Sequence, residues 1–221
     1  MPSALTPPIN EAQLLERANA LAGLHLREVA DRFGVALPAS NVHGKGLGGQ
    51  LLEMALGAQA GAASIPDFPH LGIELKTVPI GSNGLPKEST HVCVVPLRPG
   101  PESQFKTSCV ARKLARVLWM PMEAPSRLPL GERRIGQPHL WSPNPEQLDR
   151  IRTDFDELMD MVLLGGITEV NARLGEVLQI RPKAANAAEK ARASDADGAP
   201  ILTNPRGFYL RARFTAEILG R

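Results

Sequence analysis

The chain has 221 residues, 43% hydrophobic and 22% charged, a globular balance that supports a sizeable core in one large domain or two small lobes. Aromatics are only 4%, so that core rests on Leu, Val, Ile, Ala and Met; two cysteines exclude a disulfide framework, and no stretch nears the roughly 20 apolar residues of a membrane span. The net charge of +2 selects no partner by itself, and residues 1–9 carry neither a basic nor an apolar leader region, so the expectation is a soluble cytoplasmic protein.

Residues 1–9 read as a flexible tail. Asn10 can cap a helix over residues 11–22 that places Leu14, Leu15, Ala18 and Leu21 on one face, and a short helix over 26–33 follows. Gly44 to Gly49 (GKGLGG) reads as a flexible loop that feeds an amphipathic helix over 50–56, with Leu51, Leu52, Ala55 and Leu56 as core candidates. Residues 71–80 (LGIELKTVPI) alternate as a strand does, with Ile73, Leu75 and Thr77 opposite Glu74, Lys76 and Val78. The turn signal Ser82-Asn83-Gly84 leads to a second apolar run over 91–97, so a β-meander is expected there. A third strand is expected over 116–122, and a long helix over 143–164, opened by Asn144-Pro145 and closed by Gly165-Gly166. Strands over 175–182 and 207–210 and a terminal helix over 214–219 complete the pattern, with the Ala-rich stretch 184–200 left as helix or mobile loop.

Charge is unevenly distributed. Residues 98–134 hold eight Lys/Arg against three Asp/Glu, residues 181–221 eight against four, and residues 146–160 two against six. Two basic regions with an acidic segment between them suit a phosphate-facing surface with an acidic back, although charge runs also arise as ordinary solvated surface.

The chemistry centres on Asp67, Glu74 and Lys76, spaced D-x6-E-x-K. Residues two apart in a strand share a face, so Glu74 and Lys76 line one edge while Leu75 points into the core. Asp67, just before the strand, can bend back to meet Glu74. Two carboxylates and the Leu75 carbonyl make a hard-oxygen set suited to Mg2+, and Lys76 can orient a water or neutralise an attacked phosphate. Glu53 adds a third carboxylate, on a helix whose leucines hold it against the core. The same spacing also describes a strand with one solvated face and no activity. Five scattered histidines and two cysteines support neither zinc nor a histidine base, and GKGLGG lacks the GK[ST] ending of an ATP-binding loop.

A wider pattern runs from about residue 11 to 219. The segments GKGLGGQLLEMALGAQAG, DFPHLGIELKTVPI, VARKLARVLWMP, RRIGQPHLWSPN, ELMDMVLLG, LQIRPKAAN and LTNPRGFYLRARFT follow one another in the order of the MutH family, which the chain resembles closely. The resemblance implies an α/β restriction-endonuclease-like fold with a mixed sheet and two lobes around a DNA cleft. It also implies a Mg2+-dependent endonuclease that nicks the unmethylated strand at hemimethylated GATC in double-stranded DNA, as a monomer, activated by MutL downstream of MutS.

Position by position, Glu53, Asp67, Glu74 and Lys76 match the family's catalytic set, with Asp67, Glu74, Glu53 and the Leu75 carbonyl as metal ligands, and Lys113 matches a basic residue near it. Lys45, with Gly46 beside it, matches a loop that approaches DNA; Arg181 and Lys183 match a loop that reads bases in the major groove; Tyr209 matches an aromatic near the methylated adenine. Arg206 and Arg211 are added as phosphate contacts from their charge and place. Without the resemblance, Lys113 would be a helix-surface charge and Tyr209 a core residue. Ala115 stands where the family has a basic residue, which removes one cation. A GATC-specific restriction endonuclease of the same superfamily and a non-catalytic DNA-binding module remain as alternatives at this stage.

Overall fold

The computed structural model describes residues 5–38, 46–61, 64–183, 189–195 and 197–221. In chain order the elements are α1 (Glu11–Leu21), α2 (Leu26–Arg32), α3 (Leu47–Leu56), β1 (Glu74–Ile80), β2 (Thr90–Val94), α4 (Cys109–Leu114), β3 (Val117–Glu123), β4 (His139–Trp141), α5 (Pro145–Leu163), β5 (Leu178–Pro182), β6 (Ala191–Ser194), β7 (Pro200–Thr203), β8 (Arg206–Leu210) and α6 (Ala212–Ile218). None of the described helices is long and apolar enough to cross a membrane. The chain forms two compact units, one of Met1–Glu88, Arg116–Ser142 and Ile218–Arg221, the other of Ser89–Ala115 and Pro143–Glu217.

The first unit holds a mixed sheet in the order β1-β3-β4, with β1 and β3 parallel and β3 and β4 antiparallel. Its core is aliphatic, as the low aromatic content requires: Leu14, Ala18 and Leu21 of α1, Leu26 and Val29 of α2, and Leu51, Leu52 and Leu56 of α3 are buried with Ile73, Leu75, Leu118 and Met120. The helix starts follow local chemistry. The Asn10 side chain accepts from the Gln13 N–H at 2.9 Å, capping α1. Helix α3 begins at Leu47, three residues earlier than its apolar pattern suggests, and so takes in Gly48 and Gly49. A Cβ on Gly48 would stand 2.8 Å from the Met122 methyl and 3.6 Å from Leu26. That glycine serves close approach of the helix to β3 and α2, not loop flexibility.

The expected meander does not form. The turn is present, since Gly84 has φ +77° and its N–H reaches the Gly81 carbonyl at 3.0 Å. The returning chain makes only the Ile80–Pro86 bridge before leaving, and β2 joins a different sheet. Prolines at 79 and 86 have no N–H to extend that ladder, so the hairpin ends where it starts. Pro79 is tolerated because β1 is an edge strand: Ile80 bonds through its carbonyl to Ala124 at the end of β3, whereas the Pro79 carbonyl faces the other side and accepts from Lys87 N–H at 2.9 Å. The other face of β1 also departs from expectation. Glu74 and Val78 are buried along with Leu75, so this strand has no solvated face.

The second unit contains the antiparallel sheet β2-β8-β5 and the separate hairpin β6-β7. The hairpin replaces the helix or loop expected over 184–200, of which residues 184–188 and 196 lie outside the described residues. Its turn is set by Asp195, whose side chain accepts from the N–H of Asp197 and of Ala199 at 3.0 and 2.8 Å. Helix α5 starts with a reciprocal cap between Asn144 and Gln147 and Pro145 in the first turn, and its Phe155 packs on Phe208 of β8 at 5.2 Å between ring centroids.

The acidic character of α5 is only partly surface. Asp154 is 4% exposed and its carboxylate accepts the N–H groups of Glu176, Val177 and Leu178 at 2.7, 2.6 and 2.7 Å. Gly175 makes this wrap possible, since a Cβ there would sit 1.9 Å from the Leu178 carbonyl oxygen, and its φ is +78°. Asp154→Ala strands three backbone donors at the entry to β5 and is expected to lower unfolding free energy by about 3 kcal/mol, with Asp154→Asn intermediate. Urea melts with unchanged slope and a lowered midpoint check this, and a midpoint equal to wild type in Asp154→Ala refutes it.

Candidate active site

The short reversal before β1 brings two carboxylates together. Phe68 and Ile73 bridge in antiparallel fashion through bonds of 2.9 and 3.3 Å, around a turn in which Gly72 has φ +66°. One residue beyond this bridge on each side stand Asp67 and Glu74. Asp67 is 7% exposed and Glu74 1%. Asp67 Oδ2 accepts the Leu75 N–H at 2.8 Å, and its backbone carbonyl accepts the Gln59 N–H at 2.9 Å. The N–H and carbonyl of a strand residue point to the same side, so the Leu75 carbonyl also faces the Asp67 side of this edge strand.

Lys76 shares the Glu74 face as its spacing requires. Its Nζ donates to Glu74 Oε1 at 2.5 Å, and the lysine side chain is only 14% exposed. Beside it, Arg116 fixes the start of the strand twice. Its carbonyl accepts the Glu74 N–H at 3.0 Å, and its guanidinium forks onto the two Glu11 oxygens at 2.8 Å each. The Glu11 carboxyl is held below its ordinary range chiefly by that hydrogen bond from Arg116.

Asp67 and Glu74 thus set two largely buried carboxylates at one strand edge, with the Lys76 ammonium against Glu74. Hard anionic oxygens with an outward-facing carbonyl suit a small divalent cation that keeps several of its waters, so the residues fit the expected Mg2+. Among the described residues, however, no three His, Cys, Asp or Glu side chains are gathered to enclose an ion. Glu53, half-buried on α3, is therefore not drawn into a closed three-carboxylate cage with Asp67 and Glu74.

The remaining residues singled out from the sequence divide between the units. Lys45 lies outside the described residues. Gly46 is the N-cap of α3, with φ +84°. The others belong to the second unit. Lys113 is 8% exposed, so it is not the helix-surface charge its local sequence suggests. It lies one turn after Cys109 on α4, at a spacing that brings side chains together. The Cys109 thiol is pushed down to about 7, first by a hydrogen bond with Cys93 and then by the charges of Lys113 and Arg112, against burial. This cysteine was missed in the sequence, where only the four-residue spacing to Lys113 marked it.

Arg181 and Lys183 are exposed at the end of β5. The Arg181 guanidinium lies 5.7 Å from the centre of the Tyr209 ring, whose edge contact with His91 is at 5.1 Å between centroids. Tyr209 is half-buried between strands, in register with His91 and Gln179, rather than a sealed core residue. Arg206 starts β8 with its Nε buried and making no hydrogen bond. Arg211 has a different task from the phosphate contact expected of it. Its Nε donates to the Gly175 carbonyl at 2.9 Å and its Nη2 to those of Leu174 and Ala172 at 2.9 and 3.1 Å, so three of its five N–H groups hold the chain that wraps Asp154.

Comparison with known proteins accounts for this combination. The family model described as DNA mismatch repair enzyme MutH matches residues 56–154, a span that contains the Asp67–Lys76 segment. The DNA mismatch repair protein MutH of Serratia proteamaculans is 51% identical over 215 residues, which is 97% of this chain and 94% of the relative. That of Pectobacterium atrosepticum is 51% identical over 97% of this chain and 93% of its own, and that of Shewanella baltica 48% over 98% and 97%. With half of all positions shared over nearly the whole length of both partners, the chain belongs to the MutH family.

Proposed function

We propose that this chain is a Mg2+-dependent DNA endonuclease of mismatch repair that nicks the unmethylated strand at hemimethylated GATC, acting as a monomer in the cytoplasm and activated by MutL downstream of MutS. The observation that carries the reading is the buried pair Asp67 and Glu74 at the edge of β1, with Lys76 held 2.5 Å from Glu74 on the same strand.

Asp67, Glu74 and the Leu75 carbonyl would hold the cation, with Glu53 of α3 as the third carboxylate that the family resemblance assigns to the site. When bound, Mg2+ supplies charge neutralisation at a phosphate and lowers the pKa of a coordinated water. The protein's own work is positioning. The Leu75 N–H holds the Asp67 carboxylate in one orientation, and Glu74 holds the Lys76 ammonium where it can orient a water or balance charge on a non-bridging oxygen. The Arg181 guanidinium, stacked on Tyr209, is pre-organised for two-bond contact with guanine O6 and N7, and Lys183 follows it in the same exposed segment. Methylation of adenine N6 adds bulk and removes a donor hydrogen in the major groove, a change that a half-buried wall such as Tyr209 can refuse. One catalytic set per chain suits cutting one strand.

On a duplex with one hemimethylated GATC, cutting is expected only on the unmethylated strand, only with Mg2+, and faster with MutL. Asp67→Asn, which keeps an acceptor for the Leu75 N–H but loses the charge, and Lys76→Ala are each expected to slow single-turnover nicking by about 10³-fold without loss of DNA binding. Binding without cutting under every condition would make the chain a binding module instead, and double-strand cleavage indifferent to MutL a restriction enzyme. Tyr209→Ala is expected to narrow the preference for unmethylated over methylated strands while leaving Mg2+ dependence intact. Equal discrimination in the variant and the wild type removes Tyr209 from methylation sensing.

A further inference from the structure

We infer that the second unit carries a dedicated seat for a DNA backbone phosphate, formed by Arg98, Arg192 and Arg206 around one cavity. The inference rests on the DNA-cleaving reading and adds to it a site separate from the base-reading residues.

The cavity has a volume of about 270 Å3, and Arg98, Arg192 and Arg206 line it with Val94, Val95 and Pro96. Three separate segments meet here. Arg98 lies just beyond β2, Arg192 is on β6, and Arg206 opens β8. The two basic regions of the sequence, 98–134 and 181–221, thus each contribute to one concavity.

None of the three guanidinium groups makes a hydrogen bond or ion pair with a described residue. Arg206 Nε is the telling atom. It is buried and without an acceptor, so it has given up water and gained nothing, a state that costs free energy until an acceptor enters. Its backbone is well anchored: its carbonyl accepts the Val95 N–H at 2.9 Å, and it pairs with Pro182 across the β5–β8 ladder. The donor is therefore presented by a fixed strand rather than by a loop.

Three arginines lining one hollow gather positive charge suited to an anion, and the planar arginine fork matches phosphate oxygens. The apolar surface of Val94, Val95 and Pro96 suits the sugar edge of a nucleotide rather than a free, fully hydrated ion. The neighbouring strand favours DNA as the source of the phosphate. Pro182, the register partner of Arg206, lies between Arg181 and Lys183, and the Lys183 N–H donates to the Pro205 carbonyl at 2.8 Å. A phosphate held by Arg206 would fix the register of the duplex beside the residues that read it, since phosphate contacts position and base contacts specify.

The test uses the full chain in EDTA, with equilibrium binding by fluorescence anisotropy over a range of salt concentrations. Duplexes with and without GATC are compared for wild type and the double variant Arg98→Gln/Arg192→Gln. Both residues are exposed, and circular dichroism and the urea midpoint are measured to check that the variant folds. The expected result is weaker binding of both duplexes by the same factor, with the slope of log K against log salt reduced by about 1. An unchanged slope in a folded variant, while wild type binds, overturns the phosphate seat and leaves the nuclease reading intact. A loss confined to the GATC duplex overturns it in favour of base reading. Unchanged DNA binding, with MutL stimulation of nicking lost in a parallel assay with Mg2+, overturns the phosphate seat and assigns the cavity to a protein partner instead. Failure of wild type to bind either duplex overturns the nuclease reading and this inference together.

Discussion

The candidate site at the edge of β1 depends on one backbone donor. Strand β1 is the outer strand of its sheet, so the groups on its free side must find partners that are not another strand. The Leu75 N–H finds the Asp67 carboxylate, 2.8 Å away, and the Pro79 carbonyl finds Lys87 N–H. The first of these bonds does two things. It closes the strand edge, and it draws a carboxylate back beside Glu74, where burial would otherwise make a second negative charge hard to keep. Lys76 and the Arg116–Glu11 clamp then set the charge and position of that edge. The geometry of this candidate site follows from the need to satisfy a strand edge, with a candidate carboxylate serving as the acceptor.

Asp154 shows the same device without chemistry. From helix α5 it too is buried and accepts the N–H groups at the start of a strand, and that strand, β5, carries no Lys, Asp or Glu. A buried aspartate at a strand entrance is thus an ordinary structural solution. What distinguishes Asp67 is its company: Glu74 across the turn and Lys76 two residues on. Arg211 and Arg206 make a parallel contrast among cations. The first spends its guanidinium on three carbonyls, and the second keeps a buried donor with no acceptor.

Much of this was legible because local rules carry it. The caps at Asn10 and Asn144, the stop at Gly165 and the aliphatic stripes of the first three helices are decided within a few residues, so their elements fall close to where the pattern puts them. The pairing of Glu74 with Lys76 follows from the two-residue period of a strand. The errors cluster where distant chain decides the outcome. Gly48 and Gly49 look like loop until Met122 and Leu26 are brought against them, and the stretch after residue 188 has no strand pattern until Asp195 turns it onto itself.

By itself, the sequence determined which candidate site residues share a strand, because spacing along a strand settles which side chains face together. It also determined family membership, carried in ordered segments that the relatives confirm over nearly the whole chain. Only the tertiary structure decided that both faces of β1 are buried, that β2 abandons β1 for β8, and that Lys113 is withdrawn from solvent. Only it could bring Arg98, Arg192 and Arg206 around one hollow. Burial and convergence depend on residues remote in sequence, and no local period encodes which strand arrives as neighbour or which charge it leaves without a partner.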